Sequence, residues 1–180
     1  MRAQRRMAYT CVRNTARAQC LAVRQLVRAH EVADIAALLQ QRAGRPPVEA
    51  VCRLLWLLLN QKSLRYKPDP NVCGPPPSDL WRSPVATRDN GGGDCEDLSI
   101  FAMSMLVACG HWDVWLVIGD IWTRAGLKRH AWVEGIDPTG WYLLEATSGD
   151  LLRTTRPACY RADYAIGLAS FTYLQNSAVG

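Results

Sequence analysis

The sequence predicts an α+β fold in which helices come first and an antiparallel sheet follows. Two observations carry this. Apolar residues recur at helical spacing through about residue 109, and the pattern turns strand-like from residue 114. Between the two regimes lies "NGGGDCEDLSIF" (90–101), where three glycines run into an acid–thiol–acid group and then an apolar segment.

The elements follow in order. Residues 1–45 read as helical, since Ala, Arg, Leu and Gln dominate and Val32, Ile35, Leu38 and Leu39 recur at helical spacing. Gly44 stops that run and Pro46 with Pro47 opens the next helix, "VEAVCRLLWLLLN", over 48–60. This divides the chain into a helical N-terminal extension, 1–45, and a main domain, 46–180. The proline-rich stretch up to Pro84 reads as a long loop, docked through Trp81. Asp94 suits an N-cap, and Leu98, Phe101, Ala102, Met105, Leu106 and Cys109 form one apolar stripe that ends at a capping Gly110. Cys95 therefore falls in the first turn of a buried helix. "VWLVIGDIW" (114–122) reads as a buried strand, and "RHAWVEG" with "WYLLEAT" as two strands joined by the turn "DPTG". The tail from about residue 150 carries no clear period.

The formal net charge of +5 gathers in the N-terminal third, at Arg2, Arg5, Arg6, Arg13, Arg17, Arg24 and Arg28. These read as a solvated helix face; no aromatic residues interleave them, which argues against nucleic acid as a partner. The densest apolar run, Leu54 to Leu59, is too short to span a bilayer, so no membrane is expected. Seven cysteines form no CxxC pair, and the start shows no apolar leader. Cytoplasmic location and free thiols are expected, with Cys11, Cys20, Cys52 and Cys109 inert on helical segments.

Cys95 differs from those four because it sits at a glycine-flanked helix start. A helix N-terminus favours a thiolate, whereas Asp94, Glu96 and Asp97 oppose one, so a cation is needed beside it. His130 is the candidate. If Asp137 pairs with Gly140 across the turn, paired residue numbers sum to 277. Thr147 then faces His130, and Glu145 lies on the same face within diagonal reach. Cys95, His130 and Glu145 thus make a nucleophile–base–orienter set. Asp137, at the turn, is too far along the strand from His130 to serve. No cysteine–histidine pair has zinc-ligand spacing, and no phosphate-binding loop is present.

"GGGDCEDLSIFAMSMLVACG", "RHAWVEG" and "GWYLLEAT" resemble, in order, the cysteine, histidine and acidic motifs of the transglutaminase-like superfamily. "LWRSPVATRDNGGGDCED" is similar to the bacterial transglutaminase-like cysteine proteinases. The resemblance covers residues 48–150, with three departures. Glu145 stands where most members have aspartate, Ala86 where the proteinases often have glutamate, and the leader of those generally periplasmic enzymes is missing. It implies a papain-like core, with the cysteine helix packed on an antiparallel sheet and 46–180 as the catalytic domain. It also implies a cysteine-dependent amide hydrolase, peptidase or isopeptidase, acting on a protein or peptide through a thioester at Cys95. An oxyanion hole would come from the Cys95 N–H, with the Trp81 indole as a candidate second donor.

The same resemblance links the acids of the motif, Asp94 and Glu96, to calcium. The residues themselves read more simply as a cap and a dipole partner, so neither metal nor cofactor is expected. Two other functions fit the motifs: a protein-glutamine transglutaminase or deamidase, and a non-catalytic binding module of the same fold.

Overall fold

The computed structural model describes residues 9–13, 15–40, 45–70 and 78–174. Arg2, Arg5, Arg6, Gly44 and Cys73 lie outside the described residues. The elements run β1 (Tyr9–Arg13), α1 (Ala16–Leu26), a 3₁₀ turn (Ala29–Val32), α2 (Ala33–Gln40), α3 (Val48–Asn60), β2 (Ser78–Arg82), α4 (Pro84–Asp89) and α5 (Cys95–Ala108). The strands β3 (Val114–Thr123), β4 (Gly126–Asp137), β5 (Gly140–Glu145), β6 (Asp150–Leu152), β7 (Tyr160–Ile166) and β8 (Phe171–Tyr173) follow.

Helix α5 is the hub. Every residue from Asp97 to Val107 is buried, because the 3₁₀ turn, α2, α3, α4 and strands β3 and β4 all pack around it. The single apolar stripe expected from the sequence is thus a helix enclosed on all sides. Small and singly polar residues make this possible: Ser104 Oγ donates to Ile100 O at 2.7 Å and accepts the Arg28 N–H at 3.0 Å. Its end is closed as expected. Gly110 takes φ +87°, the His111 N–H reaches Leu106 O and the Gly110 N–H reaches Val107 O.

The segment 9–13 is a strand and not part of a helix. It pairs antiparallel with β2, from Tyr9 opposite Arg82 to Arg13 opposite Ser78, and β2 itself lies where the sequence reads as loop. Each strand supplies the other's backbone partners, so neither is apparent alone. Cys11 on β1 is disulfide-bonded, which corrects its reading as an inert helical thiol. The N-terminal helices and the later elements share one core: Val23, Leu26 and Val32 belong to the same apolar cluster as Leu98, Phe101 and Met105.

The six-stranded antiparallel sheet has the order β6-β5-β4-β3-β7-β8. Leu116, Ile118, Ala131 and Val133 face α5, while Val117, Trp132, Leu143 and Ala162 form a second apolar layer on the other side. Strands β4 and β5 pair from Asp137 opposite Gly140 to Val133 opposite Leu144, the register that the "DPTG" turn dictates. The untyped tail supplies three strands, and β7 enters beside β3 rather than beside its sequence neighbour β6.

Asp137 holds this turn. Its carboxylate accepts the Thr139 N–H at 2.8 Å and both Arg153 NH groups at 2.8 and 2.9 Å. Arg153 donates the largest of these influences, and together they keep the Asp137 carboxyl well below the usual range. A carboxyl depressed in the folded state adds stability that is complete above its unfolded pKa and is lost as pH falls further. Asp137→Asn should therefore lower the melting temperature by a constant amount across neutral pH, and the gap to the natural protein should close below about pH 4. Melting curves of the two proteins from pH 3 to pH 8 check this.

Candidate active site

The three glycines ahead of Cys95 are a close approach between two backbones. Gly91 and Gly92 have φ of +66° and +129°, and a Cβ on Gly92 would lie 1.9 Å from Arg65 O. The segment that follows α3 runs against this loop. The Arg65 N–H donates to Gly91 O (3.1 Å), the Gly93 N–H to Arg65 O (3.1 Å) and the Lys67 N–H to Gly93 O (2.8 Å). A Cβ on Gly93 would strike the Asp97 side chain, which is fully buried and turned back to hold Arg82. The Arg82 N–H donates to Asp97 Oδ1 at 2.7 Å, and its guanidinium pairs with Asp97 and with Asp69.

On the sheet side, His130 Nε2 lies 2.8 Å from Glu145 Oε2. The same oxygen accepts the Tyr160 hydroxyl at 2.8 Å, while Oε1 accepts the Thr147 N–H at 3.1 Å and hydroxyl at 2.6 Å. Burial raises the Glu145 carboxyl, but the His130 hydrogen bond and charge, with Thr147, bring it below its usual value. Glu145 is thus a saturated carboxylate, and its extra methylene is taken up by four partners. Tyr160 meets Trp132 edge-on at 5.1 Å, and the Trp132 indole donates to buried Glu134, which Arg156 clamps with two bonds.

Cys95, Tyr66, His130, Glu145 and Thr147 line one cleft of about 310 Å³, with Lys128 and Arg129 on its hairpin wall. Cys95 Sγ lies 3.0 Å from Glu96 Oε2, to which it donates. Burial, and then the Glu96 charge, push the thiol well above its usual value. The ground state therefore differs from the sequence-based expectation of a thiolate facing imidazolium, because the acids of the motif sit on the thiol. Burial and the charges of Asp69 and Asp79 push Asp94 up to about 6; burial and Asp94 push Asp97 up to about 7.

Asp94 occupies the N-cap position, yet its side chain makes no capping bond, and Oδ1 is buried without a partner. Carboxylate oxygens of Asp69, Asp79 and Asp94 lie within 4.8 Å of one another. Three hard oxygen donors, one of them from the residue whose Oδ1 is buried without a partner, fit a calcium ion. Glu96, named with Asp94 in the sequence reading, is not in that trio. Asp69 and Asp79 lay unrecognised in a stretch read as loop, where "KPDP" and "SDLWR" gave no spacing to compare.

Trp81 lies outside the cleft lining: it is fully buried on β2, and its Nε1 has no partner. Tyr66, Thr147 and Tyr160 line the same cleft as Cys95 from segments distant from it in sequence. Gly92→Ala should cost more than about 2 kcal/mol, since the methyl meets backbone and the φ is strained. Denaturant unfolding measures it, and the neighbouring Asn90→Ala serves as a milder control.

No family model and no curated protein matches the sequence. Solved structures do. Calcium-bound Legionella pneumophila LapG superposes with a TM-score of 0.57 at 20% identity, covering 84% of this chain and 92% of LapG. The EGTA-treated form of LapG gives 0.58 at 20% identity, covering 83% and 87%. LapG is a periplasmic protein, and Cys11 here is disulfide-bonded. Both conflict with the cytoplasmic, reducing placement expected from the sequence, which does not stand. That expectation rested on the start showing no apolar leader and on local cysteine spacing, whereas a disulfide joins residues by proximity in space. Among the described residues no helix is long and apolar enough to cross a membrane. With its helices packed on an antiparallel sheet, the chain has the transglutaminase-like fold seen in LapG.

Proposed function

We propose that this protein is a cysteine-dependent amide hydrolase, a peptidase or isopeptidase, with Cys95 as nucleophile, His130 as base and Glu145 as orienter. The observation that carries the reading is the His130 Nε2–Glu145 bond at the edge of the cleft that Cys95 lines. With Nε2 committed to Glu145, Nδ1 is the nitrogen left to exchange a proton with the thiol.

The resting thiol is protonated, so its proton passes to His130 as sulfur attacks the amide carbon. A C–S bond forms, and the carbonyl π pair moves to oxygen, where the Cys95 N–H at the start of α5 donates to it. The C–N bond breaks, the amine takes the proton from His130, and an acyl thioester remains. Water then attacks the thioester carbon, gives a proton to His130, and the acid leaves as sulfur recovers that proton. Glu145 stays ionised throughout, stabilising imidazolium. The open cleft, with its basic hairpin wall, suits an extended protein or peptide segment.

Asp69, Asp79 and Asp94 are the residues that would hold calcium, the ion named for LapG. When bound, the ion supplies positive charge against the acids gathered at the start of α5.

Iodoacetamide should add first at Cys95, where His130 takes the thiol proton as sulfur attacks, and intact mass with peptide mapping locates the adduct. Equal labelling of Cys20 or Cys159 would overturn the nucleophile. His130→Ala should slow labelling at least about tenfold, and Glu145→Gln should cut turnover about 10²-fold with the fold retained. Excess chelator should lower the melting temperature by several degrees, calcium should restore it, and Asp79→Asn should abolish the response. An unchanged melting temperature would remove calcium from the reading.

A further inference from the structure

We propose that the Tyr66 hydroxyl is the second hydrogen-bond donor to the acyl oxygen during attack by Cys95, opposite the Cys95 N–H. The inference rests on the reading of Cys95 as nucleophile and adds a residue that touches the reacting carbonyl. Its first support is placement. Tyr66 forms a parallel bridge with Gly93, two residues before Cys95, and three backbone hydrogen bonds made by its neighbours Arg65 and Lys67 hold it there. Gly92 allows this approach, since any Cβ would displace Arg65. The side chain that this close contact delivers lines the cleft beside Cys95.

The second support is the state of the other donors around the cleft. Thr147 and Tyr160 give their hydroxyls to Glu145, and Thr123 gives its hydroxyl to Gly126 O. Arg129 is paired with Asp163 and Asp120. The Trp81 indole is buried elsewhere in the core. Among the described residues, Tyr66 is the neutral donor lining the cleft that is not already committed. A phenol keeps its proton at neutral pH, so the Tyr66 hydroxyl is a donor there.

In the acylation step sulfur bonds to carbon, the carbonyl pair moves onto oxygen, and Tyr66 O–H with the Cys95 N–H faces that charge. The pair returns as the leaving group departs, and Tyr66 keeps its proton. Alkylation by iodoacetamide passes through no oxyanion, and this difference isolates the residue.

The test compares the natural protein with Tyr66→Phe in two reactions. One is the burst of p-nitrophenolate from p-nitrophenyl acetate, and the other is iodoacetamide labelling at the same pH. Tyr66→Phe should slow the burst at least about tenfold while labelling stays within about twofold. An unchanged burst overturns the proposal. So does an equal fall in both rates, which would place Tyr66 on the thiol or on the fold. A fall caused by Lys128→Met in place of Tyr66→Phe assigns the donor to the hairpin wall and also overturns it. If the natural protein shows no burst, or the acyl group maps to another cysteine, the hydrolase reading fails first and this inference with it.

Discussion

The buried ion pair between Arg82 and Asp97 is the constraint on which the site depends. Asp97 lies in the first turn of α5 and is fully buried, and it takes both the Arg82 backbone N–H and its guanidinium. Arg82 ends β2 and also pairs with Asp69, whose other oxygen accepts the Leu80 N–H at 2.7 Å. One arginine thereby ties the cysteine helix, strand β2 and the 64–70 segment to a single point. Removing one partner from such a pair leaves a buried charge and costs about 3–5 kcal/mol. Replacing both is far milder, so the pair specifies an arrangement more than it adds stability. Gly93 is part of the same arrangement, because Asp97 fills the space a side chain there would need.

Around this anchor the site is divided electrostatically. Acids crowd the thiol: Asp94 and Glu96 flank it, and Asp69 and Asp79 stand close to Asp94. On the sheet side one carboxylate, Glu145, is satisfied by His130, Tyr160 and Thr147, which hold it charged in spite of burial. Desolvation acts on both groups, and the number of donors decides the outcome. Glu145 has four, whereas Asp94 has an oxygen with none. The side short of donors is the one where a cation would relieve the imbalance.

The hairpin was legible because its register is a local property. A proline turn pairs Asp137 with Gly140, and the period of two carries that pairing up the strands toward His130 and Glu145. The start and end of α5 were legible for the same reason, from the glycines and Gly110. The pairing of Tyr9–Arg13 with Ser78–Arg82 was not, since nothing local joins strands nearly seventy residues apart. The disulfide at Cys11 and the placing of β7 beside β3 were hidden for that reason too. Trp81 is the converse case: it stands near the motif in sequence, yet it is fully buried and does not line the cleft.

The sequence by itself determined the helices over 48–60 and 95–108, where the thiol sits on its helix, and which face of the hairpin carries His130 and Glu145. These follow from caps, turns and periodicity, whose range is a few residues. Only the tertiary structure decided which charges surround the thiol, the acid trio of Asp69, Asp79 and Asp94, and the delivery of Tyr66 to the cleft. Those depend on how deeply a charge is buried and on which distant backbone lies against it, and both are settled only when the chain closes on itself.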